Sequence, residues 1–76
     1  MTLSELPVNQ PASISYLPDN FDLTAQLIEQ GFALKTRISL AHKAPFNGPL
    51  AFYMHGTKMS LPQAIAKQIK VELLTP

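Results

Sequence analysis

Hydrophobic and polar positions alternate with a period of two from Arg37 to Ala44, and this pattern predicts a β-strand. Residues 45–49, Pro-Phe-Asn-Gly-Pro, then reverse the chain, and a second strand follows through Met54. Upstream, Gly31 ends a helical pattern as a residue just beyond the helix should, because only glycine enters the left-handed region without steric cost. The stretch 30–50 therefore predicts a helix end followed by a β-hairpin.

The turn sets the expected register of this hairpin. We expect Ala44 opposite Leu50, His42 opposite Phe52 and Leu40 opposite Met54. That register predicts two faces. The core face holds Ile38, Leu40, Leu50, Phe52 and Met54, and the outward face holds Arg37, Ser39, Ala41, Lys43, Ala51, Tyr53 and His55.

The rest of the chain supplies shorter elements. We expect an irregular segment over 1–10 that lays Leu3 and Leu6 on the core, a strand over 12–17, a helix over about 21–30, a strand over 57–61 after a turn at Gly56, a short helical turn over about 62–67 and a closing strand over 69–73. Asp19, Asn20 and Asp22 are suitable residues for starting the long helix. Leu23, Leu27 and Ile28 recur at helical spacing, so we expect them on its packed side. Ser60 and Gln63 match a capping box for the short one.

This order predicts a mainly β fold. Five short strands with one inserted α-helix (about 21–30) and a short helical turn (about 62–67) are typical of a small SH3-like barrel. We expect a single domain over residues 1–76, with a core of about residues 6–74.

Composition narrows the function classes. With 46% apolar and 14% charged residues, the 76-residue chain should build a packed core, and its lack of cysteine excludes disulfides and thiolate metal sites. A net charge of +1 without a basic run argues against nucleic-acid binding. No apolar run approaches the roughly 20 residues that span a bilayer, and the N-terminal residues lack a signal-peptide pattern, so we expect a cytoplasmic protein without direct membrane insertion.

Catalytic and metal-binding groupings are scarce. Asp19 and Asp22 fit helix capping better than acid–base catalysis. In the expected register His42 and His55 lie on opposite faces of the hairpin and cannot share a metal ion. We therefore expect no catalytic residue, no cofactor and no metal site.

The outward face is the better candidate for recognition. Tyrosine and arginine are favoured at binding surfaces, and the row also carries lysine and histidine, so the candidate partner-binding residues are Arg37, Lys43, Phe46, Tyr53 and His55. Phe46 is included because it stands at the turn between two prolines, where it either folds back or is held out for a partner. The row fits an ordinary polar barrel face equally well, and the sequence leaves both interpretations open.

Several segments together carry a family resemblance. They are Leu-Ile-Glu-Gln-Gly-Phe at 27–32, Thr-Arg-Ile at 36–38, Ala-Pro-Phe-Asn-Gly-Pro-Leu at 44–50, Ser-Leu at 60–61 with Ala66, and Ile-Lys-Val at 69–71. With these the chain resembles the FeoA family, small cytosolic proteins of bacterial ferrous iron uptake, over about residues 6–73. Two positions depart from the family pattern: Leu34-Lys35 stands where Pro-Gly is frequent, and Pro62 where arginine is frequent. Because lysine disfavours positive φ, we expect the turn at Lys35 to take another form.

The resemblance implies an SH3-like fold and a non-enzymatic, regulatory role. FeoA proteins are thought to assist FeoB, a permease with a cytosolic GTP-binding domain, so the implied partner is a FeoB-like permease and the implied location is cytoplasmic, peripheral to the inner membrane through that partner. FeoA-like domains also occur in iron- and manganese-dependent repressors, which leaves two alternatives: an adaptor for a metal-dependent transcriptional regulator, or a direct metal-sensing module. Exposed edge strands leave homo-oligomer formation open.

Overall fold

The computed structural model describes residues 1–74 and contains one antiparallel sheet of five strands. In chain order, a 3₁₀ turn at Leu3–Glu5 is followed by β1 (Pro11–Tyr16), α1 (Phe21–Glu29), β2 (Arg37–Lys43), β3 (Leu50–Met54), β4 (Thr57–Leu61), α2 (Gln63–Ala66) and β5 (Lys70–Leu73). The strands are arranged in the order β4-β3-β2-β1-β5. The predicted order of strands and helices, and the mainly β class, are confirmed.

The α1 helix begins and ends as its sequence predicts. Asn20 accepts a hydrogen bond from the Leu23 N–H at its N-terminus (3.0 Å). At the other end Gly31 takes a φ of +105°, and the N–H groups of Gly31 and Phe32 donate to the carbonyls of Ile28 (3.0 Å) and Leu27 (2.8 Å). These two bonds form a Schellman motif and bring Phe32 into the core, where it is fully buried.

The core face of the hairpin is the predicted one. Ile38, Leu40, Leu50, Phe52 and Met54 are all buried. Alternation along β2 and β3 therefore identified the packed side of the sheet correctly, because successive side chains of a strand point to opposite faces.

The predicted register of the hairpin is wrong. Leu40 lies opposite Phe52, whereas Lys43 lies opposite Leu50, and the register shifts between Leu40 and His42. Two features cause this difference. The Ala44 N–H donates to the Pro49 carbonyl (3.1 Å), so only residues 45–48 form the loop, and a β-bulge near Ala41 adds one more residue to β2.

Three local predictions also fail. Ser60 lies within β4 and Pro62 precedes α2 without a side-chain bond, so the predicted capping box is absent there. Lys35 does adopt a left-handed backbone, with a φ of +67°, in spite of its side chain. Ile28, predicted on the packed side of the helix, is 49% exposed, whereas Leu27 is buried.

The N-terminal segment is tied to the sheet beside β5. Leu3 and Leu6 are fully buried, as predicted, but Leu3 begins a regular 3₁₀ turn and Leu6 follows it. The Leu3 N–H donates to the Ile69 carbonyl (2.7 Å), and the Val71 N–H donates to the Met1 carbonyl (2.9 Å). This segment therefore extends the β5 edge of the sheet.

Within residues 1–74, neither the length nor the hydropathy of any helix is sufficient for it to cross a membrane.

The Glu5 carboxylate holds the N-terminal turn closed. Its Oε1 accepts hydrogen bonds from the Thr2 N–H (2.8 Å) and the Thr2 hydroxyl (3.0 Å), and the backbone bond above all lowers the pKa of Glu5 below its ordinary value.

We predict that Glu5→Gln lowers the free energy of unfolding near pH 7. A carboxyl with a lowered folded-state pKa stabilises the fold above its unfolded pKa and loses this effect as the pH falls through the folded pKa. The difference between wild type and Glu5→Gln should therefore shrink on acidification through that window, as measured by urea unfolding at a series of pH values. Asp22→Asn, on an exposed carboxyl at the start of α1, is the matched control. A pH-independent difference would contradict the assignment.

Candidate functional site

A surface groove brings three of the five predicted partner-binding residues together. The segment before β2, the outward face of β2 and β3, and the β3–β4 turn enclose a volume of 760 Å³. We call this the Tyr53 groove, and its principal lining residues are Leu34, Lys35, Arg37, Ser39, Tyr53 and His55. Arg37, Tyr53 and His55 were predicted from the alternation; Leu34 and Lys35 were not.

The floor of the groove is set by the β2–β3 ladder. Ser39 lies directly opposite Tyr53, so the two side chains share the outward face of the sheet. Tyr53 is 49% exposed and Leu34 is 58% exposed, which gives the groove an apolar part beside its cationic residues. The groove can therefore offer both apolar contact and hydrogen bonds to an extended polypeptide or a protein surface.

His55 is positioned by a two-residue turn. His55 and Gly56 have φ values of +53° and +74° and join Met54 to Thr57, the pattern of a type I′ hairpin turn. The imidazole lies against the end of α1: a Cβ atom built on Gly31 would be 3.4 Å from His55 Cδ2. His55 therefore joins the groove to the helix stop.

Lys35 lines the groove from the segment between α1 and β2. Its N–H donates to the Ile14 carbonyl (2.7 Å), which fixes the turn between α1 and β2 to the end of β1. The only sign of this position in the sequence was its departure from the family pattern. Propensity alone could not show that a lysine would be held in the left-handed region by that hydrogen bond.

Phe46 stands at the far end of the hairpin, away from the groove. Phe46 and Asn47 have φ values of +58° and +59°, and the Gly48 N–H donates to the Pro45 carbonyl (3.1 Å). The side chain of Phe46 is 99% exposed. Of the two alternatives for this turn, the structure shows the aromatic ring held out from the sheet.

The β-bulge changes the expected partners of Lys43. Since residues directly opposite each other share a face, Lys43 lies with the buried Leu50, and His42 lies with Ala51 on the outward face. Lys43 is therefore not part of the Arg37–Tyr53 row, although it remains exposed at the end of β2, next to the turn. The predicted residues form two groups at opposite ends of the hairpin.

The two histidines are apart for a reason other than the predicted one. The bulge places His42 on the outward face opposite Ala51, whereas His55 follows the end of β3 at Met54. At the rise of a β-strand, Met54 lies about 10 Å from Ala51. Among residues 1–74 no group of three histidine, aspartate or glutamate residues could hold a metal ion.

Comparison with known proteins identifies the family. A family model described as the FeoA domain matches residues 1–73. No curated protein sequence matches the chain.

Solved structures show the same fold. Iron(II) transport protein A from Clostridium thermocellum aligns with a TM-score of 0.91 and 28% identity, over 97% of this chain and 46% of that one. The present chain thus spans about half the length of that protein. FeoA from Stenotrophomonas maltophilia, solved with zinc and described as a prokaryotic SH3 domain protein and a candidate activating factor for ferrous iron transport, aligns with a TM-score of 0.79 and 29% identity, over 95% of this chain and 89% of that one.

The manganese-activated repressor ScaR, solved with zinc, also aligns. The TM-score is 0.84 and the identity 29%, over 95% of this chain and 36% of ScaR. Together with the preceding structures, this comparison confirms the SH3-like fold.

We predict that Gly31→Ala destabilises the fold and changes the surroundings of the His55 ring, which the added methyl group would contact at ordinary van der Waals distance. An L-residue in the left-handed region costs about 1–2 kcal/mol, and at position 31 the added Cβ also meets the imidazole. Gly56→Ala is the matched control, because Gly56 also has a positive φ but no atom lies within 4 Å of its added Cβ. Urea unfolding should give a larger loss for Gly31→Ala, because the φ of +105° at Gly31 lies further from the small left-handed region open to L-residues than the +74° at Gly56. The His55 ring resonances should shift in Gly31→Ala alone. Equal losses with unshifted His55 resonances would refute the contact.

Proposed function

The chain belongs to the FeoA family, and on this premise we propose that it is a non-enzymatic accessory protein of bacterial ferrous iron uptake that docks on the cytosolic side of a FeoB-like Fe(II) permease. The family is tied to ferrous iron transport, which the relatives from Clostridium thermocellum and Stenotrophomonas maltophilia also support. The GTP-binding domain of the permease is the proposed contact. Such a role requires an exposed recognition surface and no catalytic group.

Phe46 is the observation that carries this proposal. Its ring is almost fully exposed and contributes nothing to the core, whereas its left-handed backbone costs about 1–2 kcal/mol. An aromatic residue kept at such a position stabilises the chain only when a partner covers it, since burial of apolar area is what offsets the strain. Lys43 lies at the same end of the hairpin and adds a positive charge to this contact.

The Tyr53 groove is the second proposed contact region. Arginine and tyrosine are frequent in the residues that dominate binding energy, and Arg37 and Tyr53 line the same groove here. The groove and Phe46 lie at the two ends of one hairpin, so a partner surface lying along β2 and β3 could contact both.

A second candidate is an adaptor for a metal-dependent transcriptional regulator. The similarity to about a third of ScaR supports it, because an SH3-like domain within a repressor serves as a precedent for that kind of partner. Both candidates use the hairpin surface, and they differ in the partner.

We predict that Phe46→Gly raises the stability of the fold but weakens binding to the permease. Glycine relieves the left-handed strain, so the free energy of unfolding should rise by up to about 1 kcal/mol. Loss of the aromatic contact should weaken the affinity for the soluble GTP-binding domain of the cognate permease by at least about tenfold. Urea unfolding and NMR titration of the labelled protein measure the two effects, with Lys67→Ala, on the exposed end of α2, as the matched control.

The titration should also shift the resonances of Arg37, Tyr53 and His55. Unchanged affinity in both Phe46→Gly and Tyr53→Ala would contradict the proposed surface. Binding to the metal-dependent regulator of the same cell instead of the GTP-binding domain would favour the second candidate.

A further inference from the structure

The outer side of α1 carries an apolar stripe that no part of the described chain covers. Phe21, Ala25 and Ile28 follow one another at positions i, i+4 and i+7, which places them on one face of the helix. Phe21 is 84% exposed and Ile28 is 49% exposed, whereas Leu27 faces the core. A surface helix normally carries polar residues on the face that points away from the core. Packing of the core therefore does not explain the apolar residues on this face of α1.

The stripe forms one wall of a groove at the start of the helix. We call it the α1 groove; it has a volume of 580 Å³ and is lined by Pro18, Asp19, Phe21, Thr24, Ala25 and Ile28. The Thr24 hydroxyl donates to the Pro18 carbonyl (2.6 Å), so the loop before α1 is held against the helix. The α1 groove shares no lining residue with the Tyr53 groove.

The rim of the α1 groove is acidic. Asp19 lines it, Asp22 and Glu29 are exposed on the helix, and residues 21–29 contain no lysine or arginine. Near Asp19, Lys70 lies 5.4 Å above the ring of Tyr16, whose hydroxyl donates to Asp19 (3.0 Å). Among residues 1–74, neither Asp22 nor Glu29 forms an ion pair.

These negative charges indicate which kind of partner can bind the apolar face of α1. A second copy packed antiparallel through the same stripe would bring Asp22 close to the Glu29 of its mate, and like charges at a desolvated contact are unfavourable. An anionic membrane surface would repel the same carboxylates. A cationic partner meets no such penalty, because its charges complement the rim.

We propose that the α1 groove binds a cationic amphipathic helix of another protein. The apolar residues of that helix pack between Phe21 and Ile28, as ridges of one helix fit the grooves of another, and its lysine or arginine side chains lie against Asp22 and Glu29. This surface is separate from the hairpin surface, and its occupancy does not depend on the proposed permease docking.

The test uses a peptide that contains no permease sequence. A stapled helical peptide with leucine at i, i+4 and i+7 and lysine on both flanks is titrated into the labelled protein, and a second peptide with glutamate in place of every lysine serves as the control. We expect saturable binding of the cationic peptide, with shifts at residues 18–29, a weaker interaction at higher salt, and no binding of the acidic peptide up to about 1 mM.

Variants of the protein sharpen this test. Phe21→Ser and Asp22→Lys should each weaken the cationic peptide by at least about tenfold, and both should fold normally because these side chains are exposed. Tyr53→Ala, in the other groove, should bind it as wild type does.

Four outcomes would overturn the proposal. They are absence of binding by the cationic peptide, equal binding of the acidic one, a concentration-dependent dimer in sedimentation that Phe21→Ser abolishes, and co-sedimentation with phosphatidylcholine–phosphatidylglycerol vesicles that Phe21→Ser abolishes. The last two would assign the stripe to a second copy or to a membrane surface.

Discussion

The positive-φ backbone at Gly31 connects α1 to the strands that follow it. Two N–H groups return to the carbonyls of α1 there, which ends the helix and buries Phe32 at the same point. The imidazole of His55 lies against this helix end, so the end of α1 and the β3–β4 turn are neighbours. The segment between Gly31 and β2 then forms one wall of the Tyr53 groove, and the Lys35 hydrogen bond to Ile14 fixes that wall to β1. The helix end at Gly31 thus lies next to two parts of the groove, the segment before β2 and the turn that carries His55.

In the β2–β3 hairpin, the residues that stabilise the fold differ from those available for recognition. Its inner face supplies the largest share of the core, while its outer face and its two ends carry the exposed aromatic and cationic residues. The β-bulge near Ala41 places Lys43 on the face opposite the Arg37–Tyr53 row, so the candidate residues form two separate groups. Phe46, with its strained backbone and exposed ring, lies at one end of the hairpin and the Tyr53 groove lies at the other. The buried inner face of β2 and β3 extends between them and stabilises the hairpin.

Sequence patterns predicted the elements of this fold well and the details of its site only in part. Period-two alternation identified β2, β3 and their buried face, and Gly31 and Asn20 marked the ends of α1, since each signal is local. The predicted register was wrong because the loop is one residue shorter than expected and a bulge adds one residue to β2, and neither feature is visible in the alternation of apolar and polar residues. Lys35 and Leu34 were missed as groove residues because contacts distant in sequence, such as the bond to Ile14, position them. The exposed stripe of α1 was missed because its apolar spacing resembles that of a core-facing helix.

If both ends of the hairpin contact the permease, site-specific photocrosslinking in iron-limited cells should detect each contact. A photoreactive phenylalanine analogue replaces Phe46 or Tyr53, with position 67 on the exposed end of α2 as the control. We expect crosslinks from positions 46 and 53 to the cytosolic part of the FeoB-like permease and none from position 67. Crosslinks from all three positions alike, or from 46 and 53 only to other proteins, would contradict this expectation.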